Sequence, residues 1–209
     1  MTEAGTIGAV DSIAFDEHGL VPCVMQDAAT GEVLTLAYMN EEALRLTRDT
    51  GEMHLWSRSR ETLWRKGETS GNTMRVRALR VDCDGDALLA LVDPAGPACH
   101  TGERTCFHRG ELEPQAHEAL PGLERTIAAR AAAPDPAKSY TAELLADPPR
   151  IGNKVREEAD EAARAAAGES DERLAEEGAD VLYHLSVLMA SRGLSLTGAL
   201  EMLNRRRAG

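Results

Sequence analysis

The sequence has few aromatic residues, few cysteines and no excess of positive charge. Only 3% of its 209 residues are aromatic, four are cysteine, and the formal net charge at pH 7 is -12. Nucleic acids and anionic membrane surfaces bind proteins through basic residues that displace counterions, so this charge argues against both classes of partner. A phosphate-bearing small molecule remains compatible with it, provided that metal ions lie between the phosphates and the protein's carboxylates.

The sequence also lacks long hydrophobic runs and a secretory signal. The longest apolar run, residues 87–92, is far too short to cross a bilayer. The N-terminal residues MTEAGTIGAVDSIAFDEHG have no basic start followed by an apolar stretch. We therefore expect a cytoplasmic protein in a reducing compartment, where clustered cysteines more often bind metal or take part in catalysis than form disulfides.

The two halves of the sequence differ in composition. All four cysteines and both tryptophans precede about residue 110, in short apolar or alternating segments separated by Gly, Ser and Asn. These segments predict an α+β domain with an antiparallel sheet over residues 1–110, with one helix between Asn40 and Gly51. After a polar linker at residues 111–120, the remainder is rich in Ala, Glu, Arg and Leu and predicts an all-α bundle over residues 121–209. Within it, Pro148 and Pro149 are expected to end a helix that Ser139 begins.

The segment VDCDGDALLALVDPAGPACHTGERTC, residues 81–106, concentrates polar groups with metal-binding chemistry. It contains three closely spaced aspartates, three cysteines and a histidine: Asp82, Asp84, Asp86, Cys83, Cys99, Cys106 and His100. Asp84 and Gly85 predict a two-residue hairpin turn. The turn alone does not explain the flanking aspartates, because close like charges repel unless a cation lies among them.

The spacing of the cysteines leaves several interpretations open. A structural zinc site normally has four protein ligands at short spacings, which Cys83, Cys99 and Cys106 do not show, and Cys23 lies in an apolar run typical of a buried thiol. Three ligands and an open position are the catalytic pattern, in which zinc lowers the pKa of its bound water to about 7. His100 is then a candidate general base or proton shuttle. Thiols unrelated to metal are the remaining interpretation.

The segments AYMNEEAL, WSRSRETLWRKGETSGN, VDCDGDALL and GPACHTGERTCF resemble phosphoribosyl-AMP cyclohydrolase of histidine biosynthesis, over nearly all of residues 20–109. The resemblance implies a homodimer with zinc bound across its interface by Cys83, Cys99 and Cys106. It also implies magnesium bound by Asp82, Asp84 and Asp86. In such an enzyme, water activated by zinc opens the adenine ring of phosphoribosyl-AMP between N1 and C6. His108 stands where the family more usually has tyrosine.

The basic stretch between Trp56 and Asn72 supplies groups that the phosphates of this substrate need. The candidates are Arg58, Arg60, Arg65, Lys66 and Ser70. A solvated hairpin face is the alternative interpretation, because most charged runs are only surface.

A second acidic pattern lies in the helical half, where EEADE at 157–161 is followed by EGAD at 177–180. Residues three or four apart share a helix face, so Glu158 and Glu161 lie in one inward stripe with Val155, Ala162 and Ala165. A second stripe contains Leu174, Glu177, Val181, Leu185 and Leu188, with Asp180 on its flank. Because inward carboxylates without partners are costly, these positions predict a cation site formed by Glu158, Glu161, Glu177 and Asp180. A solvated face is the alternative, and it suits Glu157, Asp160, Glu172 and Glu176.

This pattern, with SYTAELL, KVREEADEA and ADVLYHLSVLMASRGLSL, resembles the helical nucleotide pyrophosphohydrolases related to MazG. It is most similar to phosphoribosyl-ATP pyrophosphohydrolase, over about residues 123–206. The resemblance implies Mg2+ on the four acidic residues, polarising the phosphoanhydride for attack by water. The role of Lys154 in phosphate binding stays open.

The order of the two halves is a familiar fusion in this pathway, and it predicts a bifunctional hydrolase. The helical half is expected to convert phosphoribosyl-ATP to phosphoribosyl-AMP and pyrophosphate, and the α+β half then to open the adenine ring. Two alternatives are a non-catalytic zinc module fused to a helical dimerisation bundle, and an enzyme with only one active half.

Overall fold

The computed structural model describes residues 13–208. The chain divides into two compact units after Glu113, within the segment predicted to be a linker. The first unit contains a six-stranded sheet and one helix, whereas the second is entirely helical. The predicted fold class, an α+β half followed by an all-helical half, is therefore confirmed.

The sheet of the first unit is mixed. Its strands are β1 (Val21–Asp27), β2 (Val33–Met39), β3 (His54–Ser57), β4 (Thr62–Arg65), β5 (Met74–Val81) and β6 (Leu88–Pro94). They lie in the order β4-β3-β2-β1-β6-β5. The expected antiparallel pairing holds for the other neighbours, but β1 and β6 are parallel, with Cys23 beside Leu88. Parallel strands need a long crossover, which β2 to β5 and the intervening helix provide here.

Helix α1 (Glu41–Thr50) begins and ends at the residues that the sequence indicates. The Asn40 side chain accepts a hydrogen bond from the Ala43 amide, which satisfies one of the free N–H groups of the first turn. Gly51 closes the helix in the left-handed region, with φ of 71°. The core beneath it is largely thioether and aliphatic, and Cys23 is fully buried within it, as expected for a thiol in an apolar run.

The second unit consists of α2 (Ala119–Ala132), α3 (Tyr140–Leu145), α4 (Pro148–Gly168), α5 (Asp171–Ala190) and α6 (Leu196–Ala208), preceded by a 3-10 turn at Ala116–Glu118. Its core forms around Ile127, Leu144, Ile151 and Val187. As expected, the helix that Ser139 begins ends before the prolines, at Leu145. Pro148 and Pro149 also begin α4, where no helix start was predicted. The first helical turn needs no N–H donor, so proline fits it, and Asp147 caps the Arg150 amide.

None of the helices in residues 13–208 has the length and apolarity that a membrane span requires.

Candidate active sites

The loop between β5 and β6, residues 82–87, holds three carboxylates together. The carboxylate oxygens of Asp82, Asp84 and Asp86 lie within 4.8 Å of one another and are exposed. Asp82 Oδ1 accepts hydrogen bonds from the amides of Gly85 (3.0 Å) and Ala87 (3.1 Å). The pKa of Asp82 is lowered, chiefly by the hydrogen bond from the Ala87 amide. The pKa of Asp86 is raised by its contact with Asp82 and by repulsion from Asp84. The expected hairpin is present, with a longer loop than the predicted two-residue turn, and its donor set suits a divalent cation.

Cys99 and Cys106 lie together on the loop that follows β6. The Thr101 hydroxyl lies 3.1 Å from Cys99 Sγ, and His100 Nδ1 lies 3.8 Å from it. The pKa of Cys99 is lowered, chiefly by Thr101, with smaller effects of Cys106 and His108. A lowered pKa favours the thiolate, which is the form of cysteine that binds metal.

Cys83 does not join these two thiols within one chain. It is exposed on the aspartate loop at the other end of β6. Among residues 13–208, the sets of three or more potential metal ligands within 4.8 Å of one another are Asp82, Asp84 and Asp86, and Glu158, Glu161 and Glu177. The structure thus brings together two of the three predicted zinc ligands.

A cleft of about 360 Å3 lies between two parts of the α+β unit. One is the basic hairpin, which comprises β3, β4 and the residues up to Asn72, and the other is the cysteine loop, which follows β6. The lining of the cleft includes four of the predicted phosphate-binding residues together with two from the loop: Arg60, Arg65, Lys66, Ser70, Cys99 and His100. The Lys66 ammonium donates to the carbonyl of Ala98 at 2.6 Å, which joins the hairpin directly to the residue before Cys99. Arg65 forms an ion pair with Glu52.

Arg58 lies outside this cleft. Its guanidinium stacks on the Tyr38 ring, 3.8 Å from the ring centroid, in a neighbouring cleft of about 340 Å3. Arg60 lines both clefts and therefore connects them.

Glycine is required at position 67, where the backbone that lines the 360 Å3 cleft turns. Gly67 has φ of 82°, and a Cβ added there would lie 2.4 Å from the backbone of Asn72. The chain that lines the cleft therefore packs backbone against backbone at this point, which leaves no room for a side chain.

The acidic residues of α4 and α5 form the second site. Carboxylate oxygens of Glu158, Glu161 and Glu177 lie within 4.8 Å of one another, and Glu158 and Glu177 are buried. One oxygen of Glu177 pairs with Arg173, but Oε2 is buried with no hydrogen-bond partner. Burial has the largest effect on the pKa of Glu177 and raises it. Arg173 opposes this shift, whereas repulsion from Glu161 and Glu158 adds to it, so the pKa is raised overall. A buried oxygen without a donor, on a residue grouped with two other carboxylates, fits a bound cation.

The structure places two other residues of this region beside the acidic group. Asp180 is exposed and lies outside the group, although it is near enough to raise the pKa of Glu177. The Lys154 ammonium lies 2.9 Å from Glu157 and 3.4 Å from Glu158, and these contacts raise its pKa, with Glu157 the larger cause. Lys154 thus supplies positive charge at the edge of the site.

Sequence reasoning missed His184, which is buried on the inner face of α5. Its Nδ1 lies 2.9 Å from the Asp180 carbonyl oxygen and 3.7 Å from Glu158 Oε1, and its Nε2 lies 3.4 Å from the Tyr140 hydroxyl. The predicted stripe of Leu174, Glu177, Val181, Leu185 and Leu188 did not include His184, and Leu174 within it is exposed. The available signal was that His184 lies two helical turns after Glu177, on the same face.

The fold and these groups are those of a two-unit enzyme, with one candidate acidic metal site in the α+β unit and one in the helical unit. Residues 35–108 match the family model of phosphoribosyl-AMP cyclohydrolase. Residues 120–207 match that of phosphoribosyl-ATP pyrophosphohydrolase.

Curated relatives carry both parts in one chain, each under the name histidine biosynthesis bifunctional protein HisIE. The protein of Bacillus subtilis is 48% identical over 94% of this chain and 95% of its own length. The protein of Thermus thermophilus is 49% identical over 89% of this chain and 88% of its own length. The protein of Photobacterium profundum is 47% identical over 90% of this chain and 92% of its own length. The chain belongs to this family of bifunctional histidine-biosynthesis enzymes, and the predicted cyclohydrolase and pyrophosphohydrolase activities are confirmed.

Proposed function

We propose that the helical unit hydrolyses phosphoribosyl-ATP to phosphoribosyl-AMP and pyrophosphate, and that the α+β unit then opens the adenine ring of phosphoribosyl-AMP. The observation that carries the first assignment is the buried, unpartnered Oε2 of Glu177 among the carboxylates of Glu158 and Glu161. This arrangement is costly in the protein alone and favourable with a cation. We infer a cytoplasmic enzyme, in keeping with clustered thiols that a reducing compartment keeps free. We also infer a homodimer, which is supported by the position of Cys83 at the opposite end of β6 from Cys99 and Cys106.

In the helical unit, Glu158, Glu161 and Glu177 would hold Mg2+, with Asp180 as the fourth carboxylate. Magnesium, when bound, polarises the α/β phosphoanhydride of the substrate. Lys154 places positive charge beside the site, where it suits the phosphates of the nucleotide. Lys154 also offsets the charge of Glu158 before substrate binds.

In the α+β unit, Cys83, Cys99 and Cys106 would hold zinc, with Cys83 supplied by the second copy of the chain. The support is that Cys99 and Cys106 are neighbours, whereas Cys83 lies at the opposite end of β6. Zinc, when bound, supplies an activated water for addition at C6 of the adenine ring. His100 borders both Cys99 and the cleft, so it is placed to take a proton as general base.

The cleft between the basic hairpin and the cysteine loop would bind the phosphoribosyl groups. Arg60, Arg65, Lys66 and Ser70 line it, and Arg58 borders the adjoining cleft. An ammonium has three donors, so Lys66 can hold the Ala98 carbonyl and still donate to a phosphate. Asp82, Asp84 and Asp86 would hold Mg2+, which would supply positive charge for the substrate phosphates. Because they flank Cys83, they would come to this cleft from the same second copy of the chain.

Separate assays of the two reactions test this division. The full-length enzyme is supplied with phosphoribosyl-ATP, Zn2+ and Mg2+, while pyrophosphate release and ring opening are followed independently. Cys99→Ser is expected to let phosphoribosyl-AMP accumulate. The double variant Glu158→Gln, Glu161→Gln is expected to stop pyrophosphate release but to open the ring of added phosphoribosyl-AMP. Asp160→Asn, an exposed carboxylate on the same helix, is the matched control and should leave both reactions unchanged.

If one of these lesions abolished both reactions in a folded protein, the division of labour would be wrong. The shared zinc site has its own test, which is complementation between two inactive variants. Mixed dimers of Cys83→Ser and Cys99→Ser chains contain one site in which every thiol is intact. Random exchange of subunits should therefore recover about a quarter of wild-type cyclohydrolase activity. No recovery, in a mixture shown to exchange, would contradict a site shared between two chains.

A further inference from the structure

Arg104 lies between Cys99 and Cys106 in the sequence, but its side chain contacts the turn between β1 and β2. Its Nη2 donates to Asp27 Oδ2 at 2.6 Å, and its Nε donates to Glu32 Oε2 at 2.7 Å. The side chains of Asp27 and Glu32 are only 6% and 15% exposed, whereas that of Arg104 is 36% exposed. One guanidinium thus satisfies two largely buried carboxylates.

The two carboxylates that hold Arg104 are themselves fixed by the turn. Asp27 Oδ1 accepts hydrogen bonds from the amides of Ala29 (2.9 Å) and Thr30 (3.2 Å). Glu32 Oε2 accepts one from the Thr30 hydroxyl at 2.9 Å. A guanidinium has a rigid set of donors, so binding to fixed acceptors fixes its own position.

The backbone around Arg104 fixes both cysteines. The Ala98 amide donates to the carbonyl of Arg104, and the Cys99 amide donates to that of Glu103, both at 3.0 Å. On the other side, the Cys106 amide donates to the carbonyl of Leu34 at 2.8 Å. The segment that Arg104 anchors is therefore the one whose backbone sets the positions of the two thiols.

We propose that Arg104 is a positioning residue for the metal-binding thiols. Through its contacts with Asp27 and Glu32, it holds in place the loop segment that carries Cys99 and Cys106. The inference rests on the proposed zinc site. Arg104 touches neither thiol in this arrangement and acts through the loop backbone. When a residue that orients metal ligands from outside the coordination shell is removed, metal affinity or activity commonly falls by about 10- to 100-fold.

An ion pair that only adds stability would behave differently, and the same unit offers one for comparison. Arg77 pairs with Asp93 between β5 and β6, and both side chains are well exposed. Exposed pairs of this kind contribute little to stability. Arg77→Met therefore removes an arginine and an ion pair from the α+β unit without touching the cysteine loop.

The test loads the full-length protein with Co2+ in place of zinc and measures the absorption bands of thiolate-bound cobalt and its release to a chelator. Arg104→Met is expected to bind cobalt about 10- to 100-fold more weakly and to shift the bands. Arg104→Lys keeps the charge but loses the two-acceptor geometry, so it should fall between this variant and the wild type. Arg77→Met should match the wild type within about twofold.

Asp27→Asn tests the same contact from its other end. Asparagine keeps an oxygen for the amides of Ala29 and Thr30 but removes the charge that faces Arg104, so cobalt affinity should again fall. Pyrophosphate release, which depends on the other unit, gives an internal measure of intact enzyme in every sample.

Wild-type cobalt affinity and spectrum in Arg104→Met would overturn the proposal. If that variant does not fold, Arg104→Lys and Asp27→Asn decide, and wild-type cobalt binding in both would refute it. Absence of thiolate bands in the wild type would instead show that the proposed zinc site is wrong, and the proposal about Arg104 would fall with it.

Discussion

The buried carboxylate of Glu177 predicts opposite effects of one substitution in the metal-free and metal-bound protein. Glu177→Gln keeps the shape of the side chain and an oxygen for Arg173, but it replaces an unpartnered acceptor by an NH2 donor. A carboxylate oxygen of Glu177 lies within 4.8 Å of those of Glu158 and Glu161, so the change is made beside two further negative charges. The substitution therefore removes a repulsive charge and adds donors. Without metal, the free energy of unfolding of the helical unit should rise.

With Mg2+ the sign reverses, because the variant lacks a ligand. A metal at 100 times its dissociation constant stabilises the folded state by about 2.7 kcal/mol. In a domain of 60 to 100 residues, each kcal/mol shifts Tm by about 4–8 °C, so the expected shift for the wild type is about 11–22 °C. Glu177→Gln should lose most of this shift.

Calorimetry of the full-length protein, in a chelator and in saturating Mg2+, measures both effects. Glu176→Gln is the matched control, because Glu176 contacts the same Arg173 guanidinium from the exposed side of α5. The control should keep the Mg2+ shift. The reasoning would be refuted if Glu177→Gln kept the full shift, or if it lowered the stability of the metal-free protein.

Three further predictions concern pH, packing and thiol reactivity. Because the pKa of Glu177 is raised on folding, the folded state holds this proton more tightly than the unfolded state does. The stability of the metal-free protein should therefore fall as pH rises from the ordinary glutamate range through the raised pKa. Urea unfolding across that range should show this slope, and Glu177→Gln should lack it. Leu144→Ala removes a fully buried side chain and should cost the helical unit about 2–5 kcal/mol in urea unfolding, with the unfolding of the sheet unit unchanged as the control. Burial raises the pKa of Cys23 to about 12, so mass spectrometry after alkylation at pH 8 should find this thiol unmodified until the protein unfolds, unlike the exposed cysteines.

The elements that the sequence predicts well are those whose signals are local. Helix α1 follows from Asn40 and Gly51, because each cap acts on groups within one helical turn. The neighbours of β1 do not follow from the sequence in this way. Its apolar residues require burial, but the same pattern fits a parallel or an antiparallel neighbour, so the pairing with β6 appears only in the structure.

The acidic site shows the same limit at the level of side chains. Helical spacing places Glu158, Glu161 and Glu177 on inward faces, and the structure brings these three together. Spacing alone gives no means of separating Asp180, which is exposed, from His184, which is buried beside Glu158. The difference depends on the rotation of α5 against its neighbours, which is a property of packing.

The thiols illustrate why one strand matters to the function of the α+β unit. Cys83 precedes β6 and Cys99 follows it, and the seven residues of this strand extend over about 23 Å. The aspartate loop and the cysteine loop are therefore held at opposite ends of a rigid element. If all three thiols bind one zinc ion, a single chain does not complete the site. Dimerisation would then be part of the catalytic apparatus, and dissociating the dimer should release zinc and abolish ring opening together, while pyrophosphate release provides the control.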